Sequence, residues 1–124
     1  MSKTQNLLEA VKEGMIEKKA QNIVNIDFDG SINAITDHFM ICEMSTDKQV
    51  KAVAESVEEV VFKNTKEKPI HKEGMENYEW VILDYFDIVV HIFQKEFRES
   101  YRLEELWADA KIQEIEVNYS SIEN

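Results

Sequence analysis

"YEWVILDYFDIVVHIF", residues 78–93, is the densest apolar stretch of the chain and is rich in β-branched and aromatic side chains. Such side chains suit a pleated surface, and Asp84 to Asp87, between the two apolar runs, is short enough for a hairpin turn. The reading is two antiparallel strands, Tyr78–Leu83 and Ile88–Phe93, with Tyr85 and Phe86 at the tip. Side chains alternate across a strand, so Val81, Leu83, Ile88, Val90 and Ile92 line one face. Trp80, Ile82, Asp84, Asp87, Val89, His91 and Phe93 line the other. The first face is wholly apolar and belongs under helices. The second is apolar in its middle with carboxylates at one end, which suits either a second core layer or a binding surface.

Upstream, Leu7, Leu8, Val11 and Met15 recur at helical spacing and predict an amphipathic helix over Thr4–Glu17. Gln21–Ile26 and Phe39–Met44 read as strands. Thr46-Asp47-Lys48-Gln49 has the form of a capping box, and Val50, Val53, Ala54, Val57, Val60 and Val61 form one face of a helix running to about Asn64. Pro69 stops that helix, and Ile70-His71 makes a short edge strand before Gly74. Downstream, Lys95–Ala110 mixes Phe97, Tyr101, Leu103, Leu106 and Trp107 with many charges and reads as a helical or helix-turn segment. The fold class is α/β with α+β character: one domain, residues 1–110, built on a mixed sheet of about five strands with helices packed on it. Residues 111–124 read as a polar, partly mobile tail.

With 124 residues the chain suits one domain with its own core. Lys and Arg number 14 against 25 Asp and Glu, a net charge of −11 that repels nucleic-acid phosphates. A basic protein surface matches that field better, although plain solubility explains it equally. The single Cys42 has no intramolecular partner, and no signal-like segment follows Met1. No apolar run approaches the roughly 20 residues of a membrane span. A cytoplasmic, reducing setting is expected.

Asp27-Phe28-Asp29-Gly30-Ser31, after an apolar run, resembles the opening motif of haloacid-dehalogenase phosphatases, with Asp84 and Asp87 available as a Mg²⁺-holding pair. Too little chain follows Ser31 for the βα units such an enzyme stacks behind its first strand, and Asp and Gly are ordinary turn residues. A small Mg-dependent phosphatase is the alternative reading. His38, His71 and His91 stand on separate elements without metal-ligand spacing, and Cys42 reads as a small buried hydrophobe. No catalytic residue, metal ion or cofactor is expected.

The stretch "WVILDYFDIVVHIFQKEFRESYRLEELWADA", residues 80–110, resembles the signature of the ribosomal silencing factor (Iojap) family. Trp80, Asp84-Tyr85-x-Asp87, His91, Phe93, Arg98, Tyr101, Leu103, Glu104, Leu106 and Trp107 carry it, with "ITDHFMIC" (35–42) and "QVKAVAESV" (49–57) resembling upstream blocks. Phe86 stands where the family usually has Gly, His38 where Tyr is usual and Ser100 where an aromatic is usual. Phe resists positive φ, so a different turn is expected at Phe86. The resemblance implies a nucleotidyltransferase-like sheet without the catalytic motif. It also implies a non-enzymatic translation repressor that binds large-subunit ribosomal protein fourteen, blocks joining of the small subunit and acts under nutrient limitation. Little direct nucleic-acid contact and no membrane role are expected, and exposed aromatics leave room for a homodimer. The partner-binding residues expected are Tyr85, His91, Tyr101, Leu106 and Trp107 as anchors and Asp84, Asp87 and Glu104 as a charged rim, with Arg98 bracing the helix against a carboxylate.

Overall fold

The computed structural model describes residues 2–28, 36–106 and 110–119. Their elements are α1 (Lys3–Glu17), β1 (Gln21–Asp27), β2 (His38–Met44), α2 (Asp47–Thr65), β3 (His71–Glu73), β4 (Trp80–Asp84), β5 (Ile88–Gln94), α3 (Lys95–Tyr101), α4 (Leu103–Leu106) and β6 (Lys111–Ile115). The strands form one sheet in the order β3-β4-β5-β2-β1-β6. β2 and β5 run parallel, and each of the other neighbouring pairs is antiparallel. A parallel pair cannot be closed by a tight turn, and α2 carries the chain across the sheet between them.

The hairpin forms as its alternation dictates, with Trp80 opposite Phe93, Val81 opposite Ile92 and Leu83 opposite Val90. The predicted capping box starts α2: the Gln49 N–H donates to Thr46 Oγ1 at 3.2 Å, and Gln49 Oε1 accepts from the Thr46 N–H at 3.1 Å. Ser2 and Gln5 start α1 in the same way. Each box satisfies donors that a helix start would otherwise leave without partners.

Helices α1 and α2 lie together on one face of the sheet. Leu7, Val11 and Met15 from α1 and Val53 and Val57 from α2 are fully buried against Met40, Cys42, Leu83, Val90 and Ile92. Each such large apolar side chain contributes about 1.5–3 kcal/mol relative to exposure. The helices approach closely because residue 14 has no side chain: a Cβ there would lie 2.7 Å from Val57 Cα. The Ser56 hydroxyl uses that proximity to donate to the Gly14 carbonyl at 2.8 Å. A smaller apolar cluster, including Ile26, Phe39, Ile41, Phe93 and Leu103, occupies the opposite face.

The sheet has one strand more than the sequence suggested. Lys111–Ile115, expected within a polar tail, pairs antiparallel with β1, Ile23 lying opposite Ile115 and Asp27 opposite Lys111. An edge strand with exposed side chains carries no apolar alternation, so only the backbone ladder reveals it. Farther on, the Tyr119 hydroxyl donates to the Ala20 carbonyl.

Gly14→Ala raises helix propensity by about 1 kcal/mol yet forces the two helices apart. The expected net result is a loss of about 1–2 kcal/mol in urea unfolding, whereas a gain would show that α1 and α2 have room to spare.

Candidate functional site

Where β4 begins, the face of the sheet opposite α1 and α2 carries an aromatic cluster. Trp80 stacks on Phe93 with centroids 5.0 Å apart and meets Tyr101 of α3 at 4.6 Å. Phe93 is buried and Trp80 is half-buried, while Tyr101 is 48% exposed. Next along the chain, Leu106 at the end of α4 is 73% exposed. The face thus offers a stacked aromatic body with one ring, Tyr101, half in water.

His91, expected as an anchor, lies beneath this surface and is 4% exposed. Trp80 Nε1–H donates to His91 Nδ1 at 3.0 Å, which puts the imidazole proton on Nε2. Among the described residues that Nε2 has no hydrogen-bond partner; it is buried, with the imidazole and Phe39 ring centroids 4.5 Å apart. Burial disfavours the charged ring and pushes its pKa down to about 3. His91 therefore stays neutral and fixes the orientation of Trp80.

Tyr85, expected as an anchor, is buried as well. It is 3% exposed, with its ring in the core shared by the sheet and α1/α2. Residues 81, 83 and 85 share one side of the strand, so the turn delivers Tyr85 inward. Burial, reinforced by the charges of Glu58 and Glu67, pushes its phenol pKa up.

Asp84 and Asp87 flank the hairpin tip and are half-buried. Phe86 between them adopts φ +75° and is 68% exposed, so the turn takes positive φ although the residue is not glycine. The Asp87 N–H donates to the Tyr85 carbonyl at 3.0 Å, and the Phe86 N–H donates to Asp84 Oδ1 at 2.8 Å. From the neighbouring segment, Thr36 Oγ1 donates to the Phe86 carbonyl at 2.8 Å, and the Asp37 and His38 N–H groups donate to the Asp87 carbonyl at 3.0 and 3.1 Å.

Arg98 anchors α3. Its guanidinium is buried and donates to Glu43 Oε1 at 3.1 Å, to Glu104 Oε1 at 3.1 Å and to the Asn22 carbonyl at 2.6 Å. The expected bracing role is met, and Glu104, expected at a charged rim, is engaged by Arg98 while remaining partly exposed. These groups border a cleft of about 1140 Å³ between β1, the α3–α4 segment and the chain after β6.

Trp107, together with Asp29, Gly30 and Ser31, lies outside the described residues. Among the described residues no group of His, Cys, Asp and Glu could hold a metal ion, and no helix is long and apolar enough to cross a membrane. Burial pushes the Cys42 thiol up to about 12, the charge of Arg98 opposing and that of Glu43 adding to the shift. The thiol stays protonated at neutral pH. Sequence reasoning put Trp80 on the face with His91 and Phe93 but did not choose it as a functional residue.

These features define a single-domain α+β protein with a mixed sheet, the long helices α1 and α2 on one face and an aromatic patch with two short helices on the other. Residues 1–124 match the family described as ribosomal silencing factor during starvation, and the chain belongs to that family. It is 38% identical to the ribosomal silencing factor of Halalkalibacterium halodurans over 115 residues, covering 90% of this chain and 94% of that one. It is 36% identical to that of Bacillus subtilis, covering 81% and 83% of the two chains. A crystal structure from Chromobacterium violaceum superposes with a TM-score of 0.79 at 28% identity, covering 86% of this chain and 88% of that one. One from Bacillus halodurans gives 0.74 at 33% identity, covering 91% and 99%. The family is named for a regulator, and the phosphatase alternative is not favoured.

Two outcomes follow from the buried polar groups. Arg98→Met strands the Glu43 carboxylate and is expected to cost about 3–5 kcal/mol in urea unfolding, much of it restored by adding Glu43→Met. For His91, the unfolded ring binds a proton near pH 6.5 and the folded ring only near 3, so its contribution is complete above pH 6.5 and is lost as pH falls toward 3. Between pH 7 and 4.5 the wild type should lose roughly 2 kcal/mol more stability than His91→Gln, whose amide oxygen can still accept from Trp80. Equal losses would mean that the buried imidazole gains a proton without cost.

Proposed function

We propose that the protein binds the large ribosomal subunit through large-subunit ribosomal protein fourteen, sterically blocks joining of the small subunit and thereby represses translation during nutrient limitation. The observation that carries this reading is the Trp80–Tyr101 patch, held rigid by Phe93 and His91 on a chain of net charge −11. Rigid aromatics lose little entropy on docking and supply the desolvated centre of an interface. An acidic surface favours encounter with a basic ribosomal protein and disfavours direct contact with RNA. Tyr101 and Leu106 are the anchors and Glu104 and the carboxylates of Asp84 and Asp87 the rim, while Trp107 remains an anchor implied by the family signature alone. Tyr85 and His91 act from beneath, by shaping the tip and holding Trp80. The reading places the protein in the cytoplasm as a non-enzymatic factor, and a homodimer is compatible with the exposed aromatics.

Sedimentation with dissociated subunits tests it. The protein should travel with the large subunit alone and delay subunit joining. Tyr101→Ala should bind about tenfold or more weakly with an almost unchanged melting temperature, since the ring is half in water. Raised salt should weaken wild-type binding without removing that tenfold difference. Travel with both subunits or with neither would refute the anti-association reading.

A further inference from the structure

The tip of the hairpin holds a second apolar feature, separate from the Trp80–Tyr101 patch and at the opposite end of β4. Phe86 is 68% exposed and sits at φ +75°, where its Cβ crowds its own backbone and glycine alone is at ease. Solvent does nothing to favour a phenyl group there. The conformation persists because hydrogen bonds fix the peptide groups on either side of it, from Asp84 within the hairpin and from Thr36, Asp37 and His38 outside it. Strain of this kind survives where the surroundings over-determine it, and it collects at sites of recognition. Here it aims one ring outward from an immobilised turn.

The surrounding charge indicates what the ring meets. Asp84, Asp87 and Asp37 bring three carboxylates to the tip, and among the described residues none of them is ion-paired. An exposed phenyl among uncompensated negative charges complements an apolar pocket rimmed by Lys or Arg, and it repels a phosphate backbone. We infer that Phe86 is a preformed anchor of this chain, inserting into an apolar pocket with a basic rim on the surface of its protein partner. The inference rests on the ribosome-binding reading, for it gives the docked protein a second point of attachment. Two anchors separated along β4 fix orientation as well as affinity, which a steric blocker requires.

Binding to isolated large subunits and thermal melts are measured for the wild type, Phe86→Gly and Phe86→Ala. Both variants remove the ring, and the glycine also relieves the backbone. Both are expected to bind large subunits about tenfold more weakly. Phe86→Gly is expected to melt at or above the wild-type temperature, a combination that a merely structural residue would not give. Wild-type affinity in either variant overturns the inference. Loss confined to Phe86→Gly overturns it too, assigning the effect to stiffness of the turn. Phe86-dependent binding to protein-free ribosomal RNA would replace the basic protein pocket by RNA and overturn it likewise. A wild-type protein that does not travel with large subunits at all refutes the ribosome-binding reading, and this inference falls with it.

Discussion

The parallel pairing of β2 with β5 is the constraint on which the rest of the molecule depends. Its ladder runs from His38 opposite Ile88 to Met44 opposite Gln94 and joins the β1–β2 half of the sheet to the β4–β5 hairpin. Parallel strands demand a long crossover, and the crossover brings α2 over the sheet beside α1. That commits the face bearing Leu83, Val90 and Ile92 to the main core. It also leaves the other face to two short helices, α3 and α4, which cannot cover it. The asymmetry between the faces leaves the Trp80–Tyr101 patch accessible without opening the core.

The less covered face is held by polar groups as much as by apolar ones. Arg98 ties α3 to β2 through Glu43, to β1 through the Asn22 carbonyl and to α4 through Glu104. Removing two charges from water is expensive, so this cluster offers specificity of placement more than net stability. It fixes where α3 sits, and α3 carries Tyr101. The Trp80–His91 bond does the same for Trp80, and it leaves one imidazole N–H unsatisfied in the interior. Buried donors of this kind are uncommon and costly. Their presence beneath the aromatic patch fits a face selected for the shape it presents rather than for maximal stability.

A factor that works by obstruction needs no chemistry, only a firm and correctly oriented grip. The assembly proposed here supplies the grip from rigid elements: an aromatic patch on β4 and α3, and a hairpin tip pinned by hydrogen bonds from the 36–38 segment. In this proposal the acidic charge governs approach and choice of partner, because long-range fields steer encounter more than they set final affinity.

The sequence by itself determined the hairpin, its alternating faces, the capping box at Thr46 and the helical stripes of α1 and α2, because each is a local pattern with a short period. It also carried family membership, in the residues from Trp80 onward. The tertiary structure decided what local pattern cannot encode. Tyr85 lies at the tip in sequence, yet it turns into the core because the strand's alternation continues into the turn. His91 shares a face with exposed groups but is covered by Trp80 and Phe39, which arrive from other strands. Strand β6 is polar and silent in sequence, because an edge strand is specified by the backbone ladder it completes. Phe86 at positive φ contradicts local preference outright, and it is held there by a bond to Asp84 within the hairpin together with one from Thr36, fifty positions away. Side-chain period is local and was legible, whereas burial and strain are set by neighbours that are distant in the chain.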